Sequence, residues 1–195
     1  MPIDIQSLSR DALDDELVAF IDLLQDAVDA GASLGFLAPL PRDAARRYWL
    51  SIRDEIQSGS RVLLAARAHG RIVGTGQLAL PPWPNARHRA EVQKLVVDGA
   101  LRGLGIGQAL MAALHEAALA RGRSLVILGT RAGGRPEAFY QRLGYRVAGV
   151  VPGHTADAQG HRHGTTTLYL DLAGELCGSI DNATKTGRRF DARYG

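Results

Sequence analysis

AEVQKLVVDGALRGLGIGQALMAALHEAALAR, residues 90–121, is the stretch whose reading decides the fold. Residues 92–97 are apolar apart from Gln93 and Lys94, which fits a strand entering the core. Asp98, Gly99 and Ala100 make a turn. Beyond Arg102-Gly103-Leu104-Gly105-Ile106-Gly107, the residues Leu110, Met111, Leu114, Ala117 and Ala118 return at helical spacing. A strand therefore passes through a glycine-rich turn into a helix. The first four amides of a helix have no partner inside it, and the aligned peptide dipoles place about half a positive charge there. Glycines let a ligand approach such a backbone closely, so the turn suits a phosphate or pyrophosphate, with Arg102 as a fixed cation beside it. The spacing does not match G-x-G-x-x-G and no G-K-[ST] follows, so neither dinucleotide nor nucleoside triphosphate binding is the natural reading.

Arg-x-x-Gly-x-Gly at 102–107, set after an apolar strand and on a helix, resembles the acetyl-CoA signature of the GNAT N-acetyltransferases. Ala138-Phe139-Tyr140-Gln141-Arg142-Leu143-Gly144-Tyr145 resembles that family's second hallmark, a short helix running into the following strand. The similarity extends from about residue 15 to about residue 171. It includes Gly31-Ala32-Ser33-Leu34-Gly35-Phe36, Ala90-Glu91-Val92-Gln93-Lys94-Leu95 and Pro152-Gly153, stretches shared with a toxin-resistance member of the family.

The resemblance implies an α/β fold, with a central mixed, largely antiparallel sheet flanked by helices and splayed at the cofactor strand. It implies acetyl-CoA as the cofactor. Arg102, Gly103, Leu104, Gly105, Ile106, Gly107 and Gln108 would meet the pyrophosphate, and Leu95, Val96 and Val97 would hold the pantetheine arm. Acetyl transfer to an amine needs a held donor, a neutral amine, oxyanion stabilisation and a proton for the departing thiolate. Glu91, at the head of the central strand, is the expected base, although a surface charge at a strand end is the plain alternative; Glu137 is the second candidate. Tyr140 is the expected acid, because a phenol stays protonated at neutral pH. Ser33, Leu34, Phe36, Gly129 and Thr130, with Glu91, are expected around the acceptor. In the toxin-resistance member an acidic residue ends the strand where this chain has Gly129, followed by Thr130 and the cation Arg131, so the charge of the acceptor site should differ.

At 195 residues with 46% hydrophobic, the chain suits one domain with a substantial core. Residues 1–173 are expected to form the catalytic domain, and 174–195 a tail that is partly disordered or packed on a partner. The single cysteine, Cys177, excludes an internal disulfide framework and fits a cytoplasmic setting. No secretory or membrane-spanning segment is visible. A formal charge of +3 with 6% aromatic residues offers little for nucleic-acid stacking but suits a polyanionic cofactor. The expected partner is a small amine, and the resemblance implies a homodimer; no metal is expected. A protein lysine or N-terminal acetyltransferase, or a non-catalytic acyl-CoA sensor, would carry the same motifs.

The rest of the chain fills in around this core. Residues 3–8 alternate as a first strand, and Ser9 caps one long helix that Gly31 stops, with Asp14, Asp15, Asp22 and Asp26 as its solvated face. Residues 31–37 form a loop that closes over the acceptor or merely packs Phe36. A second helix spans 42–58. Strands at 61–69 and 71–80 turn at His69-Gly70. In the stiff loop Pro81-Pro82-Trp83-Pro84-Asn85, Trp83 packs on the fold or lines the acceptor entrance. A strand at 124–128 precedes a flexible turn at 129–134, and Pro136 opens the helix that Gly144 ends. Strands at 145–151 and 165–172 pair, and the histidine-containing stretch 154–163 between them is a polar loop and strand start rather than a zinc site.

Overall fold

The computed structural model describes residues 2–174, so Cys177 and all but the first residue of the expected tail lie outside the described residues. The strands are β1 (Asp4–Ser7), β2 (Arg61–Ala68), β3 (Arg71–Ala79), β4 (Arg89–Val97), β5 (Leu125–Arg131), β6 (Arg146–Ala156) and β7 (Arg162–Asp171). They form a seven-stranded sheet in the order β1-β2-β3-β4-β5-β7-β6. Every neighbouring pair is antiparallel except β4 and β5. The helices are α1 (Arg10–Asp15), α2 (Leu17–Asp29), α3 (Arg42–Ser51), α4 (Arg53–Ser58), α5 (Ile106–Leu119) and α6 (Arg135–Arg142).

Both faces of the sheet are covered, and β2 shows how. Val62, Leu64, Ala66 and Ala68 enter the core that includes Leu110, Met111 and Leu114 of α5, while Leu63 and Ala65 enter the core built with Phe20, Leu24 and Trp49 of α2 and α3. Alternation at period two thus feeds two apolar layers from one strand. Gly74 and Gly76 on β3 let α5 lie close: a Cβ at Gly76 would come within 2.9 Å of the Leu114 side chain.

Local chemistry sets most element ends. Ser9 caps α1 by accepting from the Ala12 amide at 3.2 Å. At the end of α2, Gly31 at φ +89 receives the chain in a left-handed turn, with Gly31 donating to the Val28 carbonyl at 2.8 Å and Ala32 to the Ala27 carbonyl at 3.0 Å. His69 and Gly70, both at positive φ, make the tight β2–β3 turn as expected.

Six expectations need correction. The first long helix is two, α1 and α2, broken at Glu16 (φ −112, ψ 15), whose carboxylate is turned onto Arg67 of β2. The second is also two, α3 and α4, broken at Ile52 (φ −94, ψ −1). The breaks let α1 pack on α4 while α2 packs on α3, a tertiary preference that unbroken apolar periodicity does not reveal. Strand β5 does not end at 128: Gly129, Thr130 and Arg131 continue it, paired with Thr167, Thr166 and Thr165 of β7. Half of 154–163 is likewise strand, 154–156 in β6 and 162–163 in β7, leaving a turn around Asp157, which accepts from the Gln159 and His161 amides and from the rings of His161 and His163. Those bonds, that of His163 foremost, hold the Asp157 carboxyl well below the usual carboxylate range. The expected solvated acids are partly engaged, Asp14 with Arg53 and Asp22 with Arg42. Trp83 neither packs inside nor reaches the site; it is exposed beside a separate recess with Pro84, His88 and Leu125.

Close packing of α5 on β3 gives a direct test. Gly76→Val should overpack that contact and cost about 1–3 kcal/mol, read as a lower urea midpoint at unchanged m-value.

Candidate active site

Strands β4 and β5 pair at only three positions, Arg89↔Leu125, Ala90↔Val126 and Glu91↔Ile127. After Glu91 they part, β4 continuing on β3 alone and β5 on β7 alone. The facing edges of the gap therefore carry backbone groups that no neighbouring strand satisfies. Within β4 the ladder also slips: Gln77 faces Gln93 while Thr75 faces Val96, and Lys94 adopts φ +49. This is a β-bulge, and it resets which way the side chains point. Ala90 and Val92 before it, and Leu95 and Val97 after it, all pack toward α5, whereas Val96 packs with Leu23 and Ala27 of α2.

Gln93 and Lys94 both leave toward α3. The Gln93 side-chain oxygen accepts from Arg61 at 2.9 Å, and Arg61 also donates to Gln77 and Glu55, each at 2.8 Å. The Lys94 ammonium lies 5.1 Å from the Tyr48 ring centre and 5.5 Å from that of Phe36. Burial first, and the Arg61 charge second, push the Lys94 pKa down, with Glu91 acting the other way. Tyr48 donates to Gln77 at 2.8 Å, yet burial pushes its phenol up to about 12.

A cleft of about 540 Å³ opens at the mouth of the gap. Ser33, Leu34, Glu91, Gly129, Thr130 and Tyr140 all line it, so five of the six expected acceptor residues and both expected catalytic side chains meet there. Phe36 borders an adjoining recess that shares Ser33 and Arg131 with the cleft. Lys94, Arg131, His154 and Thr165 are also part of the lining. Of these, sequence reasoning had flagged only Arg131; the bulge that aims Lys94 and the long β6 that brings His154 have no composition signal.

Tyr140 on α6 is buried, and its hydroxyl has no hydrogen-bond partner among the described residues. The backbone carbonyl that would have made it a plain core tyrosine is missing. Burial pushes it up to about 12. Phe139 and Tyr145 pack beside it as core, the Tyr145 hydroxyl bonded to His115 at 2.9 Å. Glu137, the second candidate base, is engaged elsewhere: it accepts from the Gly133 amide at 2.7 Å and the Thr166 hydroxyl at 2.9 Å, bracing the β5–α6 turn.

The turn before α5 has the form an anionic ligand needs. Gly103 (φ +81) and Gly105 (φ +82) hold conformations that side chains resist, and a Cβ at either would meet nothing within 4 Å. Gly105 stands at the N-cap of α5, and no side chain caps the helix, so its first amides remain open. Ile106 is buried in the α5 core and Leu104 is exposed, so both would serve a ligand through their backbones. Leu95, Val96 and Val97 lie on the part of β4 that β5 has left. The residues present therefore fit a pyrophosphate-bearing cofactor with an amide-containing arm.

Residues 34–145 match the Acetyltransferase (GNAT) family, and the chain belongs to that family, whose cofactor is acetyl-CoA. It is similar to an uncharacterized N-acetyltransferase of Azospirillum brasilense, 32% identical over 112 residues, 56% of this chain and 65% of that protein. It is 38% identical over 80 residues to a glucosamine 6-phosphate N-acetyltransferase of Trypanosoma brucei brucei, 40% of this chain and 53% of the relative. The chain thus spans only about half to two thirds of those two proteins. An L-methionine sulfoximine/L-methionine sulfone acetyltransferase of Pseudomonas aeruginosa is 29% identical over 146 residues, 73% of this chain and 82% of its own. The fold is shared with a Salmonella typhimurium chain solved with its cofactor acetyl-CoA: TM-score 0.70 at 17% identity, covering 88% of this chain and 95% of that one. Among the described residues no helix is long and apolar enough to cross a membrane.

Buried phenols make stability depend on alkaline pH. Phenols of the unfolded chain ionise near about 10, whereas Tyr48 and Tyr140 are held at about 12. Their contribution is complete below about pH 10 and is lost as pH rises toward about 12. Urea midpoints should therefore hold level from about pH 7 to about 9 and fall above about 10, less steeply in Tyr140→Phe.

Proposed function

We propose that the protein moves an acetyl group from acetyl-CoA to a primary amine of a small molecule, by direct attack of the amine on the thioester. The observation that carries this reading is that Glu91 and the unpartnered Tyr140 hydroxyl line one cleft at the mouth of the β4–β5 gap. Acetyl-CoA supplies the activated acyl group. Arg102 and the open amides of residues 103–108 bind its pyrophosphate, and the β4 backbone at Leu95 and Val97 binds its arm. Glu91 takes the proton of the attacking amine, directly or through a water. Tyr140, held near about 12, keeps its proton at neutral pH and delivers it to the departing sulfur. Amides of β4 left unpaired along the gap would stabilise the oxyanion.

Ser33, Leu34, Phe36, Gly129 and Thr130 are the acceptor's neighbours in this reading, and relatives that acetylate L-methionine sulfoximine and glucosamine 6-phosphate favour a small molecule over a protein segment. Similarity to the tabtoxin resistance protein, and to a relative that acetylates L-methionine sulfoximine, supports acetylation of a toxin or antibiotic as the role. We place this activity in residues 1–173, in the cytoplasm, and in a homodimer for which the exposed Val147, Val150 and Val151 of edge strand β6 offer a surface.

Three variants test the reading. Gly105→Glu, with a carboxylate in the anion turn, should abolish the calorimetric acetyl-CoA titration while its circular dichroism melt stays cooperative. Glu91→Gln and Tyr140→Phe should lower kcat by about 100-fold each and leave acetyl-CoA affinity unchanged. A sensor without turnover would lose nothing in either.

A further inference from the structure

The charges around the cleft are one-sided. Among the described residues Glu91 is the one acid that lines it, against Lys94 and Arg131, with His154 beside them. The adjoining recess adds Asp29 and Asp157, but both are engaged: Asp29 accepts from the Leu40 amide at 2.8 Å, and Asp157 serves the turn around itself and the rings of His161 and His163. Arg131 forms no ion pair among the described residues, and its Nε is buried with no hydrogen-bond partner. Arg10, Arg42, Arg53, Arg61 and Arg67 each pair with a carboxylate. Arg53, Arg89 and Arg123 also leave Nε unpaired, but none of them lines the cleft.

Register places these groups on one floor. Val126 and Leu128 of β5 face the α5 core, so Ile127, Gly129 and Arg131 alternate onto the other face, where Glu91 pairs with Ile127. Gly129 leaves the floor between Glu91 and Arg131 free of a side chain, and from Ile127 to Arg131 the strand advances about 13 Å at about 3.3 Å per residue. Lys94, on the opposite side of the gap, adds a second positive charge held against aromatic rings rather than a carboxylate.

Resting on the acetyltransferase reading above, we propose that the acceptor amine also carries an anionic oxyacid group, a carboxylate or a phosphate. Arg131 anchors that group across Gly129 while the amine is presented to Glu91. The planar guanidinium offers paired donors that match either oxyanion, and Lys94 adds to the attraction from across the gap. Polycationic amines are disfavoured by the same two charges.

Two matched pairs of probes differ in the anion alone: L-methionine sulfone against its carboxamide, and glucosamine 6-phosphate against glucosamine. Calorimetric binding and steady-state acetylation are measured for each on the wild type, Arg131→Gln and Arg131→Lys, together with acetyl-CoA affinity. In at least one pair the anionic member should bind and react about 100-fold better, chiefly through KM. Arg131→Gln should erase that preference, Arg131→Lys should keep part of it, and acetyl-CoA affinity should not move. The pair that responds tells carboxylate from phosphate. Equal behaviour within both pairs, a preference that survives Arg131→Gln, or no binding by any probe overturns the proposal. Anionic amines that bind through Arg131 without being acetylated would sink the acetyltransferase reading and leave this one standing; neutral members acetylated as well as anionic ones would do the reverse.

Discussion

The separation of β4 from β5 after Glu91↔Ile127 is the constraint on which the site depends. Adjacent parallel strands normally keep their ladder, because unpaired amides and carbonyls inside a fold cost free energy. Here each strand is satisfied on its other side, β4 by β3 and β5 by β7, so the sheet survives the opening while the inner edges stay unmatched. The two ends of the gap are then fixed by packing. Glu91 is the last β4 residue still paired with β5, and the α5 turn and α6 meet beside the gap, where a Cβ at Gly107 would lie in ordinary contact with the Phe139 ring at 3.5 Å. A ligand with amide groups along its length is the natural filler for such an edge.

The bulge at Lys94 belongs to the same device. A regular β4 would send alternate residues to alternate faces throughout, and Leu95 and Val97 could not share the α5 core with Ala90 and Val92. One inserted residue at φ +49 restores both apolar faces around the opening and leaves Gln93 and Lys94 on the polar side. There Arg61, Gln77, Gln93 and Tyr48 form a connected hydrogen-bonded set beneath the site. Such a network fixes its members, because removing one strands the buried groups of the others. The strained Lys94 backbone is thus held by contacts on both faces, as strain near a working site generally must be.

How far this could be read beforehand follows from which forces are local. The α5 segment was legible because the Arg102 to Gly107 turn and the Leu110, Met111, Leu114 face are written in consecutive residues. Tyr140 was legible through the Phe-Tyr pair, and the left-handed turns at Gly31 and His69-Gly70 through residue type. The breaks at Glu16 and Ile52 were not, since neither has a glycine or proline and each depends on what the two half-helices pack against. Residues 129–131 looked like a turn because glycine and threonine dominate them, yet three threonines of β7 extend the ladder over them. A ladder partner nearly forty residues away leaves no mark on local composition.

Glu91 and Lys94 illustrate why site chemistry is harder to read than fold. In sequence they lie three residues apart in an ordinary strand, and in space both line one cleft. Burial and Arg61 press the Lys94 ammonium toward its neutral form, and the Glu91 carboxylate resists that shift. The aromatic rings of Phe36 and Tyr48 hold the ammonium on their own faces. The residue that appears as half of a polar interruption in an apolar strand is therefore, in space, a half-buried cation lining the same cleft as Glu91.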